Sequence, residues 1–113
     1  MARIRRYCGP VLYEFDNGRI KQFCGPTLYE FNGRSVKRFC GPTLYEIDGD
    51  SIKQFCGPRL FELSGNKIKR CYGPTLYEIN GRYIKEFCGP TLYEIEGDLS
   101  DIEVLVFMTL VTP

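Results

Sequence analysis

Five cysteines recur at one spacing. Cys8, Cys24, Cys40, Cys56 and Cys88 each stand two residues before a proline of the series Pro10, Pro26, Pro42, Pro58, Pro74 and Pro90, and at Pro74 the order inverts to Cys71-Tyr72. If the chain closes on itself these thiols lie on one circle, and a narrow circle of thiolates would hold a soft metal or a cluster. The opposing expectation is a small side chain buried under each turn. Tyr72 at one of the sites and the lack of any Cys-x-x-Cys favour that packing role.

A second circle is aromatic. Tyr13, Tyr29, Tyr45, Phe61, Tyr77 and Tyr93 fall three residues after each proline. Facing an axis, they would offer a small planar ligand a pocket rimmed by Arg6, Gln22, Arg38, Gln54, Arg70 and Glu86, although aromatics with apolar neighbours usually pack in a core. Catalytic groups are scarce. The sequence has no His, the commonest general base, and the recurring Glu14, Glu30, Glu46, Glu62, Glu78 and Glu94 each have a basic residue to face. Gly-Pro lacks the run of amides that cradles phosphate. Neither enzymatic activity nor a cofactor is expected.

The wider composition narrows the partners. Lys plus Arg is 15 against 14 for Asp plus Glu over 113 residues, so no global field would hold nucleic acid. Arg3, Arg5 and Arg6 read as a solvated strand face. The apolar run from Ile102 to Val111 falls short of the roughly 20 residues that cross a bilayer. The expectation is a cytoplasmic chain with reduced thiols, bound to neither nucleic acid nor membrane.

The elements that position both circles follow from the repeat. Successive prolines are 16 residues apart, and a fixed period marks a repeat architecture. Counting each proline as position 0, position 2 is Leu, position 4 is Glu, position 10 is Ile or Val and position 11 is Lys or, in residues 1 to 9, Arg. Short aromatic and β-branched runs around Asn-Gly or Asp-Gly predict a hairpin, with positions 6 to 9 as the loop. That register sets Ile79 against Ile84, Glu78 against Lys85 and Leu76 against Phe87. A parallel solenoid would instead stack like charges about 4.8 Å apart.

Residues 4 to 8 match a returning strand without its partner, and residues 91 to 95 an outgoing strand without its return. Pairing them sets Arg5 against Glu94 and Tyr7 against Leu92, and closes a ring with no open edge at the seam. The expected fold is all-β: six hairpin repeats closed into a pseudo-six-fold, flower- or propeller-like ring over residues 1 to 98. A twelve-stranded barrel is disfavoured, because strands of about five residues would enclose a lumen their side chains cannot fill.

The motif Leu-Tyr-Glu-(Ile/Phe)-x-Gly followed by Ile-Lys, over residues 4 to 97, resembles that of the four-fold beta-flower proteins. The resemblance implies short hairpins around a central axis, here in six copies instead of four, and carries no catalytic residue.

Residues 99 to 113 obey no repeat rule. Ser100 with Glu103 is a capping-box signature, whereas the Val and Thr content favours a strand, and the balance tips to a strand. The apolar segment must be covered, on the ring or on another chain. A second chain is the favoured cover, with Val104, Val106, Phe107 and Leu110 as its interface. The functional expectation is a non-enzymatic scaffold that self-associates, of duplicated or engineered origin, with its loops or ring face open to a protein partner, and the alternative is a small-ligand or metal binder using the Tyr or Cys circle.

Overall fold

Each 16-residue repeat folds as two short strands in the computed structural model, which describes residues 2 to 111. The chain opens with β1 (Ala2–Arg6). Outgoing strands are β2 (Val11–Asp16), β4 (Thr27–Phe31), β6 (Thr43–Asp48), β8 (Arg59–Ser64), β10 (Thr75–Asn80) and β12 (Thr91–Glu96). Returning strands are β3 (Arg19–Gln22), β5 (Ser35–Arg38), β7 (Ser51–Gln54), β9 (Lys67–Arg70) and β11 (Tyr83–Glu86), and the last described element is α1 (Asp101–Val111).

Period-2 alternation decides what faces where. Ile4, Ile20, Val36, Ile52, Ile68 and Ile84, all at position 10, point inward and are 0–1% exposed. Glu at position 4 and Lys at position 11 point outward. Lys21, Lys37, Lys53 and Lys85 lie 3.8, 3.8, 3.8 and 3.9 Å from Glu14, Glu30, Glu46 and Glu78. Such pairs contribute about 0.2–1 kcal/mol each, so they select register more than they hold the wall. The register is the expected one, with Ile79 opposite Ile84 and Glu78 opposite Lys85, and the Phe87 amide donating to the Leu76 carbonyl at 2.9 Å.

The loops are shorter than expected in most hairpins. Asp16 still pairs with Arg19, which leaves Asn17 and Gly18, both at positive φ (51° and 79°), as a two-residue turn. Positive φ at both central residues is the type I′ signature. In the third to fifth hairpins the glycine itself comes first, so Asp48 pairs with Ser51 around Gly49 at φ 62°. The second hairpin keeps a longer loop of three residues, Asn32-Gly33-Arg34, where the Asn32 side chain accepts from the Arg34 and Ser35 amides at 3.1 and 2.9 Å.

Between hairpins every junction carries a bulge, as where Thr75 and Tyr77 face Lys69 and Ile68 and leave Leu76 extra. A bulge bends and twists the strand, which supports curvature at each repeat. The result is one antiparallel sheet of twelve strands closed into a barrel in chain order. The seam joins β1 to β12 with Arg5 opposite Glu94 and Ile4 opposite Ile95, and the Tyr7 amide donates to the Leu92 carbonyl at 3.0 Å. The ring closes at the seam read from the sequence. It is a continuous twelve-stranded barrel, the closure that the short strands were expected to disfavour.

The objection to a barrel was its empty lumen, and α1 fills it. Val104, Leu105, Val106, Phe107 and Met108 are 0–2% exposed, enclosed by the chain's own wall. A helix was less expected than a strand here. In a closed barrel every wall strand already has both edges paired, so a strand in the lumen would leave its backbone groups without partners, whereas a helix bonds its own. Ser100 and Glu103 close the capping box: Glu103 N donates to Ser100 Oγ at 3.2 Å and Ser100 N to Glu103 Oε1 at 3.0 Å. Thr109 is buried with its hydroxyl donating to the Leu105 carbonyl at 2.8 Å. Among the described residues no buried side-chain N or O lacks a partner.

The interface expected at Val104, Val106, Phe107 and Leu110 is corrected accordingly. The first three belong to the core and Leu110, half-buried, packs against it. Apolar residues on all sides of a segment demand cover on all sides, and the ring supplies it.

Candidate functional site: the thiol and aromatic rim

The barrel has two chemically different ends. Chain direction puts the hairpin loops at one end, where α1 enters through Gly97 to Ser100, and the Cys-Gly-Pro turns at the other. In those turns the residue before glycine has positive φ: Cys8 56°, Cys24 57°, Cys40 57°, Cys56 57°, Tyr72 60° and Cys88 56°. Each turn is closed by the glycine amide donating to position 12, as from Gly9 to the Arg6 carbonyl at 2.8 Å and from Gly57 to that of Gln54 at 2.9 Å. This is the site where a type II turn calls for Gly or Asn. A non-glycine residue in that region costs of order 1–2 kcal/mol.

The strained residues are outermost. Cys8, Cys24, Cys40, Cys56 and Cys88 are exposed thiols, contrary to their expected burial under the turns, while Cys71 is half-buried. Tyr72, in the place of a sixth thiol, is 97% exposed. Just behind the tips, on the outer wall, Tyr7, Phe23, Phe39, Phe55 and Phe87 are 40–53% exposed.

Four of the five collar aromatics meet position 9 of the preceding hairpin, the exception being Phe55, whose counterpart is Ser35. The Arg3 and Arg19 guanidinium carbons stand 5.5 and 5.8 Å from the centroids of Phe23 and Phe39, and Lys67 Nζ 5.7 Å from that of Phe87. At the seam Tyr83 meets Tyr7 edge-on at 5.9 Å. The Cys8 thiol beside Tyr7, by charge and by hydrogen bonding, and then Tyr83 push the Tyr7 phenol above its ordinary value. Inside the collar, position 12 stands exposed in ring order Arg6, Gln22, Arg38, Gln54, Arg70, Glu86. The Arg70 guanidinium lies 5.7 Å above the buried Phe61 ring, which tethers it at the mouth.

The rim does not gather a metal site. Adjacent tips are two strands apart, on the order of 10 Å, whereas thiolates sharing an ion sit about 2.3 Å from it. Among the described residues no three of Cys, Asp or Glu come together to hold a metal ion, which corrects the metal reading of Cys8, Cys24, Cys40, Cys56 and Cys88.

Tyr13, Tyr29, Tyr45, Tyr77 and Tyr93 do face inward, and all are half-buried against the core. Their circle surrounds the chain's own Phe107, whose ring meets Tyr13, Phe15 and Tyr93 edge-on at 5.4, 6.3 and 5.2 Å. Burial pushes the Tyr93 phenol up. A cleft of about 80 Å³ remains beside α1, lined by Tyr13, Ile20, Leu28, Tyr29, Phe107, Leu110 and Val111. Small-molecule sites run to about 300–1,000 Å³, so this cleft is too small for the planar ligand that the aromatic circle suggested.

The collar itself escaped the sequence reading, although its signal was present. Position 13 carries an aromatic in nearly every repeat and position 12 alternates in charge. Position 13 falls on the outward face, whereas position 12 shares the inner face of the tyrosines it pairs with, as Gln22 with Tyr13 and Glu86 with Tyr77. Comparison with protein-family models, with curated proteins and with solved structures finds no match for the chain.

Proposed function

We propose that the protein is a non-enzymatic β-repeat scaffold that self-associates and presents its surface to partners, with the thiol and aromatic rim as the working surface. The observation that carries this reading is the filled lumen. Barrels that bind small molecules do so inside, and here α1 occupies that space with Phe107 against the tyrosines. What is left for recognition is the outside, where exposed large aromatics concentrate at one end. The sequence supports the non-enzymatic part through its lack of His and the pairing of its repeated carboxylates across the hairpins. No helix among the described residues is long and apolar enough to cross a membrane. A cytoplasmic setting with reduced thiols fits strained, exposed cysteines kept as cysteines.

Native mass spectrometry on the full chain, purified under mild thiol without added metal, tests the reading. Masses at whole multiples of the chain support it. A monomer at all concentrations, or a retained small molecule that survives gentle activation, sinks it.

A further inference from the structure

Ring order follows chain order around the barrel. The mouth therefore reads Arg6, Gln22, Arg38, Gln54, Arg70, Glu86, with a cation at every second place and an amide or carboxylate between. The tips read Cys8, Cys24, Cys40, Cys56, Tyr72, Cys88 in the same order. We infer that this rim docks on the rim of a second copy, head to head, in a register fixed by the alternation. The inference rests on the self-associating reading above and specifies its surface.

The geometry is that of a two-fold axis perpendicular to the barrel axis, the commonest symmetry of homo-oligomers. Such an axis reverses ring order, so each place on one rim faces a place on the other, and their numbers, counted from Arg6 as zero, add to a constant modulo six. If the constant is even, arginine faces arginine, and like charges brought together at an interface repel. If it is odd, every arginine faces Gln22, Gln54 or Glu86 of the other copy. In one odd register Arg6 meets Glu86, Gln22 meets Arg70 and Arg38 meets Gln54, each pair occurring twice. A ring in which all six places were alike would favour no register, and a ring of six arginines would repel its copy in all of them.

The same parity sorts the thiols. Cys8 and Cys40 sit with the arginines, while Cys24, Cys56 and Cys88 sit with the others. In every odd register a thiol of the first set faces one of the second, and Tyr72 always faces a member of the second. Within one chain neighbouring tips are on the order of 10 Å apart, beyond the 4.4–6.8 Å between Cα atoms that a disulfide spans. Among these five thiols, oxidation is therefore expected to link tips between copies, whereas Cys71, half-buried, stands one residue before the tip of its turn. With an aromatic disulfide such as 2,2′-dithiodipyridine, one thiolate attacks the reagent and releases a pyridinethiol. A facing thiolate then displaces the second pyridinethiol and completes the S–S bond, so each bridge consumes one reagent disulfide and two protein thiols.

The experiment oxidises the full chain with that reagent and reads the products by intact mass and by mapping of the linked peptides. The expected product is a dimer linked between sets, as Cys8 to Cys88 and Cys40 to Cys56. Links within a set, such as Cys8 to Cys8 or Cys24 to Cys56, overturn the register. A parallel test needs no cysteine chemistry: the combined Gln22→Arg, Gln54→Arg and Glu86→Arg variant changes only exposed side chains. It should weaken dimerisation at least ten-fold in sedimentation while the circular dichroism stays unchanged. An undiminished dimer in that variant overturns the rim and leaves the scaffold reading standing. A wild-type chain that stays monomeric overturns both, as does a monomer that instead binds anionic phosphatidylserine vesicles.

Discussion

The two ends of the barrel place residues in the same left-handed backbone region and fill it differently. At the loop end glycines occupy it, at Gly18, Gly33, Gly49, Gly65, Gly81 and Gly97, joined by Asn17. At the rim the same region holds five cysteines and one tyrosine, all exposed. Glycine is available to the sequence, since each rim turn has one immediately after the strained residue. The loop end is therefore relaxed where it can be, and the rim is not. Backbone strain that persists across repeats is a pointer to use, and it points to the side chains at the tips.

The comparison presupposes a wall held round from within. Phe107→Ala tests that support, because the ring wedges between Tyr13, Phe15 and Tyr93. Truncating a buried phenylalanine costs about 3–5 kcal/mol, so chemical denaturation should find the variant close to unfolding, with both ends lost in one transition. Separate transitions for wall and helix would break the picture of one cooperative unit.

Gly18→Ala probes the loop end alone. A Cβ there would lie 2.5 Å from the Phe31 carbonyl oxygen, and the turn needs positive φ as well. A loss of about 2–3 kcal/mol is expected, read as a lowered urea midpoint at constant slope. At the rim the sign reverses. Cys40→Gly should stabilise the fold by about 0.5–1 kcal/mol, the relieved strain less the entropy of the added glycine, while Cys40→Val should destabilise it. If Cys40→Gly destabilised instead, the thiol would be contributing to packing and the contrast between the ends would fall.

The smallest effect concerns the inner tyrosines. Burial raises the Tyr93 pKa, so the folded state favours the neutral phenol. That contribution is intact below the ordinary tyrosine value of about 10 and is lost as pH rises through the higher folded value. Tyr93→Phe cannot ionise. It should therefore lose less stability than wild type on going from pH 9 to pH 11, and equal losses would mean that Tyr93 ionises without penalty.

Much of the wall was legible in the sequence because it rests on local pairs. Ile79 with Ile84 and Glu78 with Lys85 can be read from spacing and complementarity, and the half-repeats at residues 4 to 8 and 91 to 95 foretell the seam. The interior was misread in two places that share one cause. A twelve-stranded lumen looked too wide to fill, and the segment after Ser100 looked too apolar to leave uncovered on so small a ring. Each difficulty answers the other, but period and pairing describe the wall and give no term for what crosses it. The aromatic collar was missed for a different reason: Phe39 and Phe55 alternate onto the outer face, where an aromatic reads as a strand former before it reads as a surface.

The seam has a consequence for how the molecule comes into being. Hairpins join residues close in sequence and can form within about 1–10 μs, so most of the wall can assemble piece by piece as the chain lengthens. The seam is the exception: the Arg5 side chain reaches Glu96, 91 residues away. Until the last strand exists, the first has a bare edge and the lumen has no helix to close upon. Synthesis from the N-terminus thus produces an open, curling ribbon that becomes a barrel only once β12 and α1 have emerged. The slow and aggregation-exposed stage of its folding should be this single late closure.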